Sequence, residues 1–313
     1  MLRSTVALVI PAHNEGANLR ILIPEIFEVV ECELNLTVFV VDDGSTDSTC
    51  DILDSLRKAH PNLVSIHEPD RGGKARALSV GLARAIALSP DIICMMDGDC
   101  QDNPIYLPLL VQKALSGFDL VTARRANRAD LMTKRISSKI YNRLVRFLFG
   151  TPGRDHNSGM KALSPRLARF LIAFLRGDMH RHISVTAHWQ GFSLSELPVI
   201  NRERRNGASK YGVSRLLFGL EELVMVRFLL WRLDKRLDFY FYCALGMLVS
   251  GVSGFQAVSI LTNPGAPSTF FDWGTLILSA LVISASFVGA FGVMRSGRFL
   301  TQIEATKNSV LSA

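Results

Sequence analysis

Three aspartates, Asp97, Asp99 and Asp102, fall within six positions of "CMMDGDCQDNP" (Cys94 to Pro104), directly behind an apolar run. Carboxylates so close together repel one another unless something positive sits among them. Hard oxygen donors at the end of a strand suit Mg²⁺ or Mn²⁺, ions that commonly bridge carboxylates to substrate phosphates. Gly98 between Asp97 and Asp99 lets both carboxylates face one ligand while the backbone comes close. Lys74 follows "RGG", where an ammonium and the N–H groups opening a helix can meet phosphate. Asp42 and Asp43 open the turn after another apolar run, placed to accept from a base N–H or a ribose hydroxyl, whereas Asp47 suits a helix N-cap equally well.

The elements that must position these residues alternate. Strand-like runs at Thr5–Ile10, Leu36–Val41, Val64–His67 and Ile92–Met96 are separated by helical patterns at Asn18–Val30, Thr46–Ala59 and Lys74–Leu88. Short apolar strands between helices predict an α/β domain with a parallel sheet covered on both faces. In such sheets ligands sit beyond the carboxyl ends of the strands, where the motifs fall.

The remainder is of another character. Of the 313 residues, 48% are hydrophobic, but the excess is local: Phe239–Thr262 and Gly274–Met294 each lack any charged residue and are long enough to cross a bilayer. Arg227, Arg232, Lys235 and Arg236 precede this pair and Arg295, Arg298 and Lys307 follow it, so both ends are expected in the cytoplasm. The net charge of +7 is concentrated too: between Arg124 and Arg154 there are nine Lys or Arg against Asp130 alone. Beside two membrane spans, that block favours phosphate ligands or an anionic bilayer over nucleic acid. Within Leu131–Gly150, Arg135, Lys139, Asn142, Arg143 and Arg146 fall on one helical side and Ile136, Ile140, Leu144, Phe147 and Leu148 roughly opposite, a pattern for the membrane interface. Ser214–Leu233 is a second amphipathic candidate. The five cysteines have no ligand spacing, which predicts neither disulfides nor zinc, and His13, His60 and His67 read as surface or helix-end residues. His180 and His182 remain candidates to face a donor sugar.

Four segments in order, "VIPAHNE" (Val9–Glu15), "VDDGSTD" (Val41–Asp47), "MDGDCQDNP" (Met96–Pro104) and "RRNGASKYG" (Arg204–Gly212), resemble the inverting family-2 glycosyltransferases of GT-A (Rossmann-like) fold. The closer resemblance is to the polyprenyl-phosphate sugar transferases, the dolichol-phosphate mannose synthase and bacterial GtrB-like group. It implies metal-dependent transfer of a hexose from a UDP- or GDP-linked sugar to undecaprenyl or dolichyl phosphate. It further implies Asp97, Asp99 and Gln101 at the metal, with Pro11, Ala12, Glu15, Asp42, Asp43, Lys74 and Gly98 at the donor. Arg124 and Arg204 would lie near the reacting phosphates, and Lys134, Arg135, Ser138, Ser209 and Lys210 would take the acceptor phosphate. Gly98 stands where alanine is commoner, and "NSGMKAL" (Asn157–Leu163) where the family usually has GFR or GFK. The implied organisation is a cytoplasmic catalytic domain over 1–212, a juxtamembrane helix over 213–238, two transmembrane helices over 239–294 and a cytoplasmic tail over 295–313. An inner-membrane location, lipid contacts and no nucleic-acid partner follow, and a homo-oligomer is compatible. A processive polysaccharide synthase would carry QxxRW, which is absent around Trp189, Trp231 and Trp273, and a non-catalytic adaptor would not need the metal and phosphate residues.

Overall fold

A computed structural model describes residues 3–30, 33–127, 142–175 and 179–202. The segments expected to hold Lys134, Arg135, Ser138, Arg204, Ser209 and Lys210, the juxtamembrane helix, the hairpin and the tail lie outside the described residues. Among the described residues no helix is long and apolar enough to cross a membrane.

Strands β1 (Thr5–Ala12), β2 (Asn35–Asp43), β3 (Leu63–Glu68) and β4 (Ile92–Met95) alternate with helices α1 (Gly16–Val30), α2 (Thr49–Ala59) and α3 (Lys74–Ile86). Helix α4 (Leu107–Leu115), strand β5 (Leu120–Asn127), helix α5 (142–149), strand β6 (Lys161–Leu163), helices α6 (Pro165–Phe174) and α7 (Ile183–Trp189) and strand β7 (Leu194–Ile200) complete the set. The sheet has seven strands in the order β3-β2-β1-β4-β6-β5-β7. It is mixed rather than wholly parallel: β6 runs antiparallel to both β4 and β5. β6 is only three residues long, too short to announce itself by hydrophobic pattern.

Val6 to Ile10 are all at most 1% exposed, which is why β1 reads as a continuous apolar run. On one face Leu8 and Ile10 pack with Leu19, Leu22 and Ile26 of α1 and Leu110 of α4. Each such side chain contributes roughly 1.5–3 kcal/mol on burial. On the other face α3 brings Gly81 against Val9 and Val41, and Ser79 Oγ of α3 donates to the carbonyl of Ile172 in α6 (3.0 Å). Pro11 does not end β1 as its ring would suggest. Val9 accepts from Met96 on the β4 side, and two residues on the missing Pro11 N–H points past the end of that ladder, so no bond is lost.

Of the amphipathic stretch Leu131–Gly150, residues 131–141 lie outside the described residues, and helix α5 departs from the expected sides. Asn142, Val145 and Phe149 are its buried residues, and the side-chain Oδ1 of Asn142 accepts from His156 N (3.3 Å). Phe147 is 84% exposed, on the outer surface with Arg143 and Arg146.

Candidate active site

At the end of β4 the chain turns through 97–102 with a side chain in the left-handed region: Cys100 has φ 60°. Its thiol is buried and donates to the carbonyl of Asn18 (3.3 Å), which anchors that turn to α1. Asp97 and Asp99 are half-buried, and Asp99 Oδ1 accepts from Gln101 N (3.2 Å). Asp102 is 5% exposed; its Oδ1 accepts from Asn201 Nδ2 (3.1 Å), while its buried Oδ2 has no hydrogen-bond partner among the described residues. The exit of β7 clamps this loop. Arg202 N donates to the Gln101 carbonyl (2.9 Å), and its guanidinium bonds to Asn103 Oδ1 (2.7 Å) and both Glu25 oxygens (2.7 and 2.5 Å).

Positive charge reaches the cluster from two sides. Lys74, first residue of α3, places Nζ 2.5 Å from Asp97 Oδ1. Burial opposes ionisation of Asp97, but the charge and hydrogen bond of Lys74, helped by Lys161, hold its carboxyl below the usual range. Lys161 of β6 is buried, which pushes its ammonium down to about 8; it donates to the Ser158 carbonyl. Arg125 of β5 is gripped by Asp155 through Nε (2.7 Å) and a second guanidinium nitrogen (2.8 Å). Burial works against the Arg125 charge, but Asp155, with Asp102 and Asp97 beyond it, raises its pKa. Burial drives the His180 ring down to about 3, with Lys74 and Arg181 adding to the shift, so it meets the cluster as a neutral imidazole.

Carboxylate charge still predominates. Burial, then repulsion from Asp97 and Asp99, pushes Asp102 up to about 6 despite Arg125. A hard-oxygen set that crowds its own charges, with an orphaned oxygen in a buried carboxylate, fits a divalent cation such as Mg²⁺ or Mn²⁺.

The donor-side residues gather beyond β1 and β2. Asp43 accepts from the amides of Gly72 (2.7 Å) and Gly73 (2.8 Å), fixing the loop that delivers Lys74; Gly73 has φ 87°, which favours glycine there. Each Asp43 oxygen therefore holds one amide of that loop. Asp42 Oδ1 accepts from Ser45 N (3.1 Å), and its Oδ2 lies 3.3 Å from His67 Nδ1. Glu15 Oε2 accepts from Asn18 Nδ2 (2.6 Å), and Asn14 bridges to Ser45 and Thr46. Pro11 and Ala12 close β1 beside Val41 and Asp42. Asp47 acts as a helix-start residue, its Oδ1 accepting from Thr49 N (3.0 Å) and Oγ1 (2.5 Å).

Arg124 reaches Glu196 of β7 (Nε to Oε2, 3.8 Å); its neighbour Arg125 is the arginine coupled to the aspartates, because successive side chains of a strand point to opposite faces. The spacing gave no sign of Lys161 or of Gly159. A Cβ on Gly159 would lie 2.5 Å from the Asp97 carboxylate, so glycine in "NSGMKAL" makes room for the first metal-motif residue. His182 is buried, whereas His180 lies within the electrostatic reach of Asp97.

The sequence profile of glycosyl transferase family 2 matches residues 7–172, just over half of the chain and the part that carries every aspartate described above. The chain belongs to that family. This family-2 protein is 31% identical over 226 residues to an undecaprenyl-phosphate 4-deoxy-4-formamido-L-arabinose transferase of Salmonella paratyphi B, and equally so to that of Salmonella newport. The alignment covers 70% of the chain and 66% of the relative, slightly under two thirds of the curated protein's length. Among solved structures it is similar to a mannosyltransferase from Pyrobaculum calidifontis in complex with GDP-Man and Mn²⁺, at 16% identity and a TM-score of 0.53, covering 98% of this chain and 88% of that one. That likeness gives the family-2 chain its fold, a GT-A α/β domain with a mixed sheet.

Proposed function

We propose that the protein transfers a sugar from a nucleotide-sugar to a polyprenyl phosphate, inverting the anomeric centre, at the cytoplasmic face of a membrane that its C-terminal segment anchors. The observation that carries this reading is Asp97 paired with Lys74 at the end of β4, with Asp99 and Asp102 on the same loop, in a chain 31% identical to undecaprenyl-phosphate sugar transferases. The Pyrobaculum mannosyltransferase was solved with GDP-Man and Mn²⁺, which supports a nucleotide-sugar donor and a divalent ion here.

Asp97, Asp99 and Gln101 are the residues that would hold Mg²⁺ or Mn²⁺. Such an ion, when bound, offsets charge growing on a leaving nucleoside diphosphate. The chain's own groups do the rest. Asp43 locks the 72–73 loop so that α3 presents its first turn, which has no side-chain cap, together with Lys74. Free helix-terminal amides and an ammonium suit a diphosphate. Asp42 is the carboxylate placed for the nucleoside, and Pro11, Ala12 and Glu15 border it. The His180 ring stays neutral and so adds no charge where the sugar would lie.

The acceptor needs little help from a base. A phosphate monoester has its second pKa near ~6, so its nucleophilic oxygen is already ionised at neutral pH. The difficulty is bringing that dianion to an anionic donor. Arg125 on β5 supplies positive charge beside the aspartates, and Arg135, Arg204 and Lys210 are proposed to join it with Lys134, Ser138 and Ser209. Incubating the detergent-purified chain with Mn²⁺, a panel of UDP- and GDP-sugars and a short polyprenyl phosphate should yield one lipid-linked sugar, identified by mass. Donor consumption with sugar found only on added saccharides would refute the reading.

A further inference from the structure

The ends of β2 and β3 and the start of α2 bring together three residues that sequence spacing gave no reason to associate. Asp42 and His67 are register partners in the parallel β2–β3 ladder, and Cys50 is the second residue of α2. His67 Nδ1 lies 3.3 Å from Asp42 Oδ2 and 3.3 Å from Cys50 Sγ, and the three donor atoms all lie within 4.8 Å of one another. A tetrahedral ion with sulfur at about 2.3 Å and nitrogen and oxygen near 2.0–2.1 Å spaces S and N about 3.6 Å apart, and N and O about 3.4 Å. The distances from Nδ1 are within a few tenths of an ångström of these, and because Cys50 Sγ also lies 4.0 Å from Nε2 the imidazole must turn to aim Nδ1 at a shared ion.

We infer that Asp42, Cys50 and His67 form a binding site for a thiophilic divalent cation of the Zn²⁺ class, separate from the aspartate cluster at the end of β4. A hydrogen-bonded triad explains the geometry less well. In such a triad the imidazole uses a different nitrogen for each partner, whereas here Nδ1 is the nearer nitrogen to both, at 3.3 Å, with Nε2 4.0 Å from the thiol. One nitrogen carries one proton or one lone pair, so it cannot serve both partners fully. A cation at the common point satisfies all three.

The donor set sorts the ions. Imidazole and thiolate prefer zinc, while the all-oxygen cluster at Asp97 and Asp99 prefers Mg²⁺ or Mn²⁺. The surroundings are negative: Asp54 Oδ1 is 3.9 Å from His67 Nε2, and Asp51 follows Cys50. Desolvation, then Asp54, Asp42 and Asp51, raises the Cys50 pKa, the opposite of a field set to keep a bare thiolate. Nearby Arg76 is already held by Glu68 (2.6 Å). The His67 side chain is 33% exposed, so solvent reaches the site and can fill the fourth position, as in exchangeable three-ligand zinc sites.

The site has a consequence that rests on the proposed function. Asp42 is the carboxylate placed there for the nucleoside, so an ion that draws Oδ2 toward Cys50 and His67 competes with the donor. Zn²⁺ then acts as a reversible inhibitor that raises the KM for nucleotide-sugar while Mn²⁺ is saturating.

Two readouts on the full-length chain in detergent test this. First, with Mn²⁺ saturating, Co²⁺ is added as a spectroscopic probe and Zn²⁺ affinity is read by competition with a chromogenic chelator. The wild type should bind one equivalent with a thiolate-to-cobalt charge-transfer band. Cys50→Ser should lose the band, Cys50→Ser and His67→Gln should each weaken Zn²⁺ by about tenfold or more, and Asp99→Asn should change neither. Both variants lie at exposed positions, and unchanged thermal unfolding in EDTA would show them folded. Wild-type Zn²⁺ affinity in folded Cys50→Ser and His67→Gln, or no charge-transfer band in the wild type, overturns the site. Second, Zn²⁺ should raise the donor KM of the wild type and leave that of Cys50→Ser unmoved. If the ion binds as described but the KM stays constant, the site stands and the placement of Asp42 against the nucleoside is what fails.

Discussion

Gly159→Ala tests the support behind the metal motif, because the perturbation is one methyl group and its target is known. The added Cβ would sit 2.5 Å from Cγ and Oδ2 of Asp97 and 2.7 Å from Oδ1, whereas ordinary contact begins at 3.4 Å. The carboxylate must therefore retreat by up to about 0.9 Å, or the 157–160 segment must give way by the same distance. Asp97 has only two rotatable side-chain bonds and is tied to Lys74 at 2.5 Å, so it cannot move without stretching that pair. Misplacing a group at a reacting centre by roughly 1 Å costs about 10²-fold in rate. Gly159→Ala should accordingly lower kcat for lipid-linked sugar formation by about 10–100-fold and raise the Mn²⁺ concentration needed for half-maximal activity. Circular dichroism should remain that of the wild type. Gly98→Ala provides the steric contrast: its Cβ meets Ile10, the Pro11 carbonyl and Leu19 at 3.5–3.6 Å, so it should cost far less. If Gly159→Ala kept wild-type turnover and Mn²⁺ dependence, Asp97 would not be held where the structure puts it, or would not matter there.

Other consequences are more quickly stated. His156 is 2% exposed with Nε2 unpartnered among the described residues, and burial, then Lys161, Arg146 and His182 against Asp155, lowers its pKa to about 4. The unfolded ring near 6.5 binds the proton first, so this stability is present above pH ~6.5 and is lost as pH falls toward 4, by up to about 3 kcal/mol. Chemical unfolding of the wild type and His156→Gln between those values should show a shallower slope in the variant. Asp102→Asn should retain turnover within about tenfold, because a general base is typically worth about 10²–10⁴-fold and a phosphate acceptor does not need one; a larger loss at unchanged Mn²⁺ and donor affinity would require a base. A cysteine introduced at Ser268 should label from outside intact cells and one at Ser312 should not, and the reverse pattern would place the catalytic domain in the wrong compartment.

The β1–β4 region was legible because β1, β2 and β4 are largely buried apolar runs and its helices carry a clear period. Lys74 opening α3, Asp42 and Asp43 closing β2 and the aspartates following β4 all stood where the alternation of elements put them. The antiparallel β6 was not legible, since three residues carry no period and only the sheet order reveals that "KAL" lies between β4 and β5. Lys161 and Gly159 went unseen for the same reason. Arg124 was placed near the reacting phosphates by resemblance alone, which gives a position but not the face of a strand, and Arg125 went unmentioned. Asp43 was read as a ligand-facing carboxylate, and its hold on two loop amides, 29 and 30 residues away in sequence, left no sign there. Cys50 and His67 looked bland for an equivalent reason: their association depends on α2 crossing the end of β3.

The central claim is that the nucleophile is a lipid phosphate already carrying its charge, and one comparison tests it most directly. The purified chain, with Mn²⁺ and the nucleotide-sugar it accepts, is given either polyprenyl phosphate or the polyprenol of the same length, and labelled sugar in the lipid phase is measured. The account predicts transfer to the phosphate and none above background to the alcohol, with Asp99→Asn abolishing the signal. Equal transfer to both lipids, or to neither while a saccharide acceptor is glycosylated, would contradict it.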